Sequence, residues 1–255
     1  MSLSTSTSVL CAVVGCFLVA ACAPGASQNQ AALNADSQLQ LAEAADTGGN
    51  VDAALSMYQA AASRAPSDVS AQLRYADALA RYGKIAQAQR FLLQQLNANP
   101  GQRELARASA LVDIIAGNAS DAIPKLDRLL ATDPRDENAL TDKGVALDLL
   151  GRHADAQELY HQALAVAPND VAVTNDMAVS MMLEGRQQEA LRLLESIDAA
   201  DGAPTRVRVN LGILYAANSD VARAREVVKN QIDEGQLMAL ARSIHQASLS
   251  GNTSR

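Results

Sequence analysis

The 255-residue sequence is poor in the residue types that build one large core or a reactive site. It contains no Trp, and aromatic residues make up 3% of the chain, which argues against a single large core. All three cysteines, Cys11, Cys16 and Cys22, lie close to the N-terminus. The remainder of the chain therefore has no disulfide, no thiol catalyst and no cysteine zinc site.

Positive charge is also sparse. The net charge is -7, and Lys and Arg are scattered rather than clustered. A nucleic-acid binder needs a basic stripe, so nucleic acid is not an expected partner. Glycine-rich phosphate loops, Gly-x-Ser-x-Gly elbows and His-Glu-x-x-His motifs are missing too. We expect neither an enzyme nor a cofactor.

Two histidines of one segment, His153 and His161, have Asp155 and Glu158 between them. Such a group could supply metal ligands only if a third side chain joined the two histidines. We interpret both histidines instead as exposed residues on a solvated helix, and no metal site is expected.

What the chain does have is a repeat of 34 residues. Five glycines recur at this interval, each is followed five residues later by an alanine, and prolines recur at the same interval. A fixed period of this length is typical of stacked helical pairs. The glycines are Gly49, Gly83, Gly117, Gly151 and Gly185, and the prolines are Pro66, Pro100, Pro134 and Pro168.

The fourth unit, residues 137–170, shows the pattern most clearly. Asp136 is a suitable N-cap for a first helix, and Gly151 suits a turn into a second helix. Gly144 falls inside the first helix, where glycine costs about 1 kcal/mol in helix propensity. This position therefore predicts that the second helix packs directly against Gly144.

The residues of this unit resemble the tetratricopeptide repeat. Those that match its pattern of small and large residues are Gly144, Gly151, Ala156, Tyr160, Ala163 and Pro168. The resemblance covers six units, residues 35–232, and implies an all-α fold. The expected architecture is a right-handed α-solenoid of about six helix–turn–helix units. Residues 233–255 are expected to form a capping helix and a polar tail. Pro124 departs from the pattern, and would be tolerated in a first turn if Ser120 were the N-cap.

The N-terminus predicts export. Residues 9–21 form an apolar run that is too short to cross a bilayer and fits a signal peptide, assigned to 1–21. The run ends at Cys22 in a sequence that resembles a bacterial lipobox, which implies lipidation of Cys22 and a tether over 22–34. Cys16 also fits the motif, and an ordinary cleaved signal is the alternative. Residues 1–8 lack the usual Lys or Arg. In enterobacterial lipoproteins, an aspartate directly after the lipidated cysteine favours retention in the inner membrane. Because Ala23 occupies this position, the resemblance implies the outer membrane, with the chain on its periplasmic face.

In tetratricopeptide arrays the first helix of each unit lines a concave groove. Apolar side chains with interleaved amides in such a groove suit a helix or an extended peptide. The alternative is that these residues pack between neighbouring units. The predicted groove residues are Leu111, Ile114, Ile115, Thr141, Val145, Leu149, Asn175, Val179, Met182, Leu183, Asn210 and Ile213.

Two segments, 143–157 and 206–220, are similar to the tetratricopeptide lipoprotein of tight-adherence (Flp-type) pilus assembly systems. This resemblance implies an outer-membrane lipoprotein that acts as a scaffold or pilotin. Its implied partner is a secretin or another pilus-assembly component, and the N-terminal lipid supplies the membrane contact. The alternatives are another envelope lipoprotein of this repeat class, serving a type IV pilus secretin or barrel assembly, and an adaptor of an envelope enzyme.

Overall fold

The computed structural model describes residues 24–198, 203–229 and 231–251. Within these ranges the chain forms thirteen helices and no strand, which confirms the predicted all-α fold. The helices are α1 (Pro24–Thr47), α2 (Val51–Arg64), α3 (Val69–Arg81), α4 (Ile85–Ala98), α5 (Arg103–Ile115), α6 (Ala119–Thr132), α7 (Glu137–Leu149), α8 (His153–Val166), α9 (Val171–Leu183), α10 (Gln187–Asp198), α11 (Thr205–Ala217), α12 (Val221–Val228) and α13 (Glu234–Gly251).

The first twelve helices form six consecutive pairs. Each helix packs on the next one, and the first helix of one pair also contacts the first helix of the next between α1 and α9. Contacts that are confined to neighbouring units define an α-solenoid, as the repeat predicts. We call the odd-numbered helices α1 to α11 the first helices, and α2 to α12 the second helices.

The helix α1 is longer than the repeat requires. It begins at Pro24, so residues 24–34, which we expected to form a flexible tether, are helical in the structure. Ala, Gln and Leu of this stretch favour a helix, and proline is accommodated at a first helical position. The predicted signal peptide, residues 1–21, and Cys22 lie outside the described residues.

The five repeated glycines make the turns within the pairs. Each adopts a left-handed backbone conformation, with φ between +70° and +86°. In the fourth unit the Arg152 amide donates to the Leu147 carbonyl over 2.9 Å and closes the end of α7. Glycine adopts this conformation without the Cβ penalty of other residues, which explains its recurrence there.

The sixth unit has Ser219 at this turn, also left-handed, with φ of +66°. We expect Ser219→Gly to raise the free energy of unfolding by about 0.5–1 kcal/mol, since it removes backbone strain but adds freedom to the unfolded chain. Urea denaturation followed by circular dichroism measures the change. The matched control is Gly151→Ser, where an added Cβ meets no atom within 4 Å. It should lower stability by a similar amount, and a neutral result for both substitutions would contradict this account.

Gly144 marks a close approach of two helices, as predicted. A Cβ built on Gly144 would lie 2.5 Å from Cε1 of Tyr160, on α8. The Tyr160 ring is fully buried. The glycine therefore gives up helix propensity so that a large aromatic ring can lie against the backbone of α7.

Aspartates cap several first helices. Asp136 Oδ1 accepts a hydrogen bond from the Ala139 amide over 3.0 Å, which confirms the predicted cap of α7. Asp170 does the same for α9, through the Val173 amide at 2.9 Å. Side-chain caps of this kind satisfy amides that have no partner inside the helix and so fix where each first helix begins.

The start of α6 differs from the prediction. The helix begins at Ala119 after Asn118, so Ser120 is not the N-cap and Pro124 is the sixth helical residue. The turn at Gly117 decides this, because every second helix from α2 to α10 begins two residues after its glycine. A proline at this depth removes one helical hydrogen bond.

The predicted capping helix is α13. It packs on α11 and also on α9, and Leu237 and Ala241 of α13 are buried in the core. The side chain of Gln187, at the start of α10, donates to the Ile244 carbonyl over 3.4 Å. This last helix therefore lies across two first helices rather than on its immediate neighbour alone.

Candidate binding surface

Three aliphatic side chains at equivalent positions are exposed along the first helices. Ile115, Leu149 and Leu183 are the last residues of α5, α7 and α9 and lie 34 residues apart. Their exposed fractions are 59%, 57% and 38%. We call this set the terminal column. Because large apolar side chains that are left in water contribute nothing to the core, a row of them is a candidate contact surface.

A second set of apolar residues lies one turn earlier on the same helix faces. We call Leu111, Val145, Val179 and Ile213 the inner column. The first three are partly buried, whereas Ile213 is 6% exposed. Residues four apart on a helix share one face, so the two columns form one continuous apolar strip on α5, α7 and α9.

Three of the predicted groove residues belong to the core instead. Ile114 and Met182 are buried, and Ile213 is buried in a cluster that also contains Leu237 of α13. Ile114 and Met182 each directly precede a residue of the terminal column, and adjacent helical residues point about 100° apart. The alternative interpretation, packing between units, therefore applies to these three residues.

The predicted amides bond to each other rather than standing free. Asn210 Nδ2 donates to Asn175 Oδ1 over 2.9 Å, and Asn175 is buried. The Thr141 hydroxyl donates to the Glu137 carbonyl of its own helix over 2.9 Å. In this arrangement the two amides join α9 to α11.

Two carboxylates lie one turn before the inner column at equivalent positions, Asp142 on α7 and Asp176 on α9. Arg107 Nε binds Asp142 Oδ2 over 2.6 Å. Burial raises the pKa of Asp142 in spite of this ion pair. Burial also raises the pKa of Asp176, which accepts a hydrogen bond from Asn175 Nδ2 over 3.2 Å.

The two carboxylates differ in how their charge is balanced. Arg206 lies near enough to lower the pKa of Asp176, but less than burial raises it. Among the residues that the structure describes, no Lys or Arg forms an ion pair with Asp176. The strip is therefore apolar along one side and carries an incompletely compensated negative charge along the other.

A cavity of about 490 Å³ lies between α3 and α5, at the N-terminal end of the strip. Its wall includes Leu111 and Ile115, which are two of the predicted groove residues. The lining residues of α3 were not among the predicted groove residues. They lie 34 residues before positions on α5, so the repeat alone could have identified them. The lining residues are Leu73, Ala76, Asp77, Ala80, Arg103, Glu104, Arg107, Ala108, Leu111, Val112, Ile115, Asp136 and Asn138.

Two ion pairs hold the polar side of this cavity. Arg103 Nη2 binds Asp136 Oδ2 over 2.7 Å, and Arg107 binds Asp142 as described above. Both pairs connect α5 with the segment that begins α7 or with α7 itself. The arginines are thus held by the next unit, and the cavity wall is formed by residues of three consecutive repeats.

His153 is not the exposed residue that we expected. Its side chain is 20% exposed, and Nδ1 lies 2.7 Å from Asp148 Oδ1. The turn at Gly151 brings the start of α8 back against the end of α7, which a helical pattern alone does not reveal. His161 is exposed. Over the described ranges, no group of three or more His, Cys, Asp or Glu side chains could hold a metal ion.

Within the described part of the chain, no helix combines the length and the apolar character that are needed to cross a membrane.

Comparisons with known proteins agree with this architecture. A search of curated protein sequences finds no match. Among solved structures, a tetratricopeptide repeat protein from Parabacteroides merdae superposes with a TM-score of 0.68 at 16% identity, covering 85% of each chain. TTC0263 of Thermus thermophilus, a tetratricopeptide repeat protein, gives 0.62 at 20% identity, over 71% of this chain and 99% of that one.

The pilF protein of Pseudomonas aeruginosa gives a TM-score of 0.59 at 17% identity, over 85% of this chain and 98% of that one. At such identities these likenesses show the fold alone. The tetratricopeptide repeat family model matches residues 48–112 and 113–180. The chain belongs to the tetratricopeptide repeat family.

Proposed function

We propose that this chain is a lipid-anchored scaffold or pilotin of the bacterial outer membrane that binds a secretin during assembly of a Flp-type pilus. The observation that carries the binding role is the terminal column, three exposed aliphatic side chains in register on α5, α7 and α9. Tetratricopeptide repeats are protein-binding scaffolds, and no chemical step is required of them. The lipid localises the chain, and the strip holds a segment of the partner.

The pilus role rests on the resemblance of segments 143–157 and 206–220 to the lipoprotein of tight-adherence systems. The membrane location rests on the lipobox-like sequence that ends at Cys22. The structural likeness to pilF concerns the fold and adds no argument about a partner.

The binding role is tested by placing charge in the strip. Ile115→Asp combined with Leu183→Asp should reduce capture of the purified secretin subunit of a Flp-type system at least tenfold, because two carboxylates would be buried in an apolar contact. Immobilised protein and quantified bound secretin provide the measurement. Leu93→Asp is the matched control, since Leu93 is 60% exposed on α4, a second helix. Equal capture by the double variant would exclude the strip as the binding surface.

The membrane anchor is tested separately. Cys22→Ser should abolish labelling with a palmitate analogue and release the chain from the membrane fraction, because the thiol that takes the lipid would be missing. Cys16→Ser should change neither readout. If Cys22→Ser is still labelled, the lipid is attached elsewhere. If the wild type is not labelled, the lipoprotein proposal is wrong.

A further inference from the structure

We propose that the strip binds an amphipathic α-helix of its partner, and that this helix carries Lys or Arg beside its apolar face, opposite Asp176. The inference rests on the proposed binding function and adds the chemistry of the bound segment. Its starting point is the terminal column, whose three side chains are exposed on consecutive first helices.

The spacing of the column favours a helical segment. Packed helices lie about 8–10 Å apart, so consecutive members of the column repeat at roughly that distance along the solenoid. On a helix, residues seven apart rise about 10.5 Å and return to nearly the same face. On an extended strand, residues three apart span about 10 Å but point to opposite faces. A straight helix can therefore present one apolar residue to each of Ile115, Leu149 and Leu183, and a strand cannot.

The chain already packs one of its own helices across two first helices. The helix α13 contacts the first helices α11 and α9, and it buries Leu237 and Ala241 there. In the inner column, Ile213 of α11 is buried whereas Leu111, Val145 and Val179 are only partly buried. This difference is what a helix lying across α11 produces. The strip lies on α9, α7 and α5, and α9 is one of the two first helices that α13 contacts.

The charge beside the strip determines which charge the flank of the bound helix should carry. Asp142 is paired with Arg107 at 2.6 Å, whereas Asp176 forms no ion pair among the described residues. Asp176 accepts a hydrogen bond from Asn175 over 3.2 Å, and Arg206 balances its charge in part. Its charge lies in a partly buried position, one turn from Val179 of the inner column. A cation on the flank of a bound helix would compensate that charge, and an anion there would be repelled. Because the whole chain also carries a net charge of -7, a basic helix approaches it faster than an acidic one.

Designed peptides test the proposal. Two 21-residue helical probes share Leu every seven residues and Ala elsewhere on that face, and their flanks carry either Lys and Gln or Glu and Gln. Fluorescence anisotropy with the full chain should show at least tenfold tighter binding of the Lys peptide. A third probe, with the same composition but a scrambled order, should bind at least tenfold more weakly than the Lys peptide. Equal binding of the Lys and Glu peptides, or of the ordered and scrambled ones, would overturn the proposal.

Substitutions then locate the contact. Asp176→Asn should weaken binding of the Lys peptide about threefold to fivefold, the effect of one partly exposed ion pair. Glu226→Gln removes the same charge from an exposed site on α12 and should leave binding unchanged. Leu149→Ser should weaken the Lys peptide at least tenfold, whereas Leu93→Ser should not. Equal losses for Asp176→Asn and Glu226→Gln would show attraction by net charge alone and refute the assigned contact.

The proposal of secretin binding and the proposal of a basic helix are contradicted by different results. If a secretin is captured by the wild type and lost by the Ile115 and Leu183 double variant, but the Lys peptide has no advantage, the binding role stands and the basic-helix proposal is wrong. If the Lys peptide binds the strip as expected and no secretin is captured, the surface chemistry is right and the proposed partner is wrong.

Discussion

Replacing Tyr160 with alanine is expected to lower the free energy of unfolding by about 3–5 kcal/mol, the range for a buried aromatic truncated in a core. Tyr160 is the largest side chain among the fully buried residues and lies directly against Gly144. Its hydroxyl also donates to Asp148 Oδ2 over 2.9 Å. Truncation would leave a cavity between α7 and α8 that no neighbouring backbone can fill. Chemical denaturation followed by circular dichroism measures the loss.

Two further substitutions distinguish the stability contribution of the Tyr160 ring from that of its hydroxyl, and test whether the ring requires glycine at position 144. Tyr160→Phe should cost only about 1 kcal/mol, the usual net contribution of one hydrogen bond. Gly144→Ala should be destabilising in the wild type, because the new Cβ would overlap the ring. In the Tyr160→Ala background the same change should instead stabilise by up to about 1 kcal/mol through helix propensity. If Gly144→Ala changes the free energy of unfolding in the same direction in both backgrounds, the Tyr160 ring is not the reason for glycine at position 144.

The close packing at Gly144 was predictable because the chain repeats one helical pair, so the packing of a single unit describes much of the fold. A glycine inside a helix is costly in helix propensity, so a glycine such as Gly144 within the first helix of a unit points to close packing of the second helix. The turn glycines are equally informative, since their left-handed backbone is a local property. The repeat architecture could therefore be predicted from the sequence, and the family match to residues 48–180 supports it.

The binding surface was only partly predictable, for two physical reasons. In α5 both Ile114 and Ile115 are apolar, and the sequence alone does not decide which of two adjacent residues faces the core. The structure buries Ile114 and exposes Ile115. Ile213 is buried in a cluster that includes α13, and the packing of that helix on α9 does not follow from the 34-residue period.

Polar contacts between units were the least predictable feature. Asp148 lies near the end of α7, where the sequence suggests an ordinary solvated residue. The turn and the following unit bring three donors to it, and the 34-residue pattern repeats just the tyrosine contact, in the first unit, where the Tyr58 hydroxyl donates to Asp46 over 3.5 Å. Asp148 corresponds to Asp46 of the first unit, for example, but to Ile114 of the third. Such contacts need the coordinates of several helices at once.

Replacing Asp148 with alanine is the second large expected effect, a loss of about 3 kcal/mol in the free energy of unfolding. The Asp148 side chain is 10% exposed and interacts with three groups from two helices. His153 Nδ1 and the Ser180 hydroxyl each lie 2.7 Å from Oδ1, and the Tyr160 hydroxyl donates to Oδ2 over 2.9 Å. Without the carboxylate, the buried Tyr160 hydroxyl would lose its acceptor, and the Ser180 hydroxyl would keep only its longer bond to the His153 carbonyl, at 3.4 Å. A buried group that is left unsatisfied costs about 1–3 kcal/mol.

Because Ser180 belongs to α9, the loss should also loosen the junction between the fourth and fifth units. Hydrogen exchange should then increase in both α8 and α9, and not in α8 alone. Asp155→Ala is the matched control, since Asp155 is 55% exposed and pairs with Arg152 on the surface. It should change stability by less than about 0.5 kcal/mol. Were Asp148→Ala to cost no more than Asp155→Ala, the carboxylate would be a solvated residue, and the coupling of adjacent units would rest on apolar packing alone.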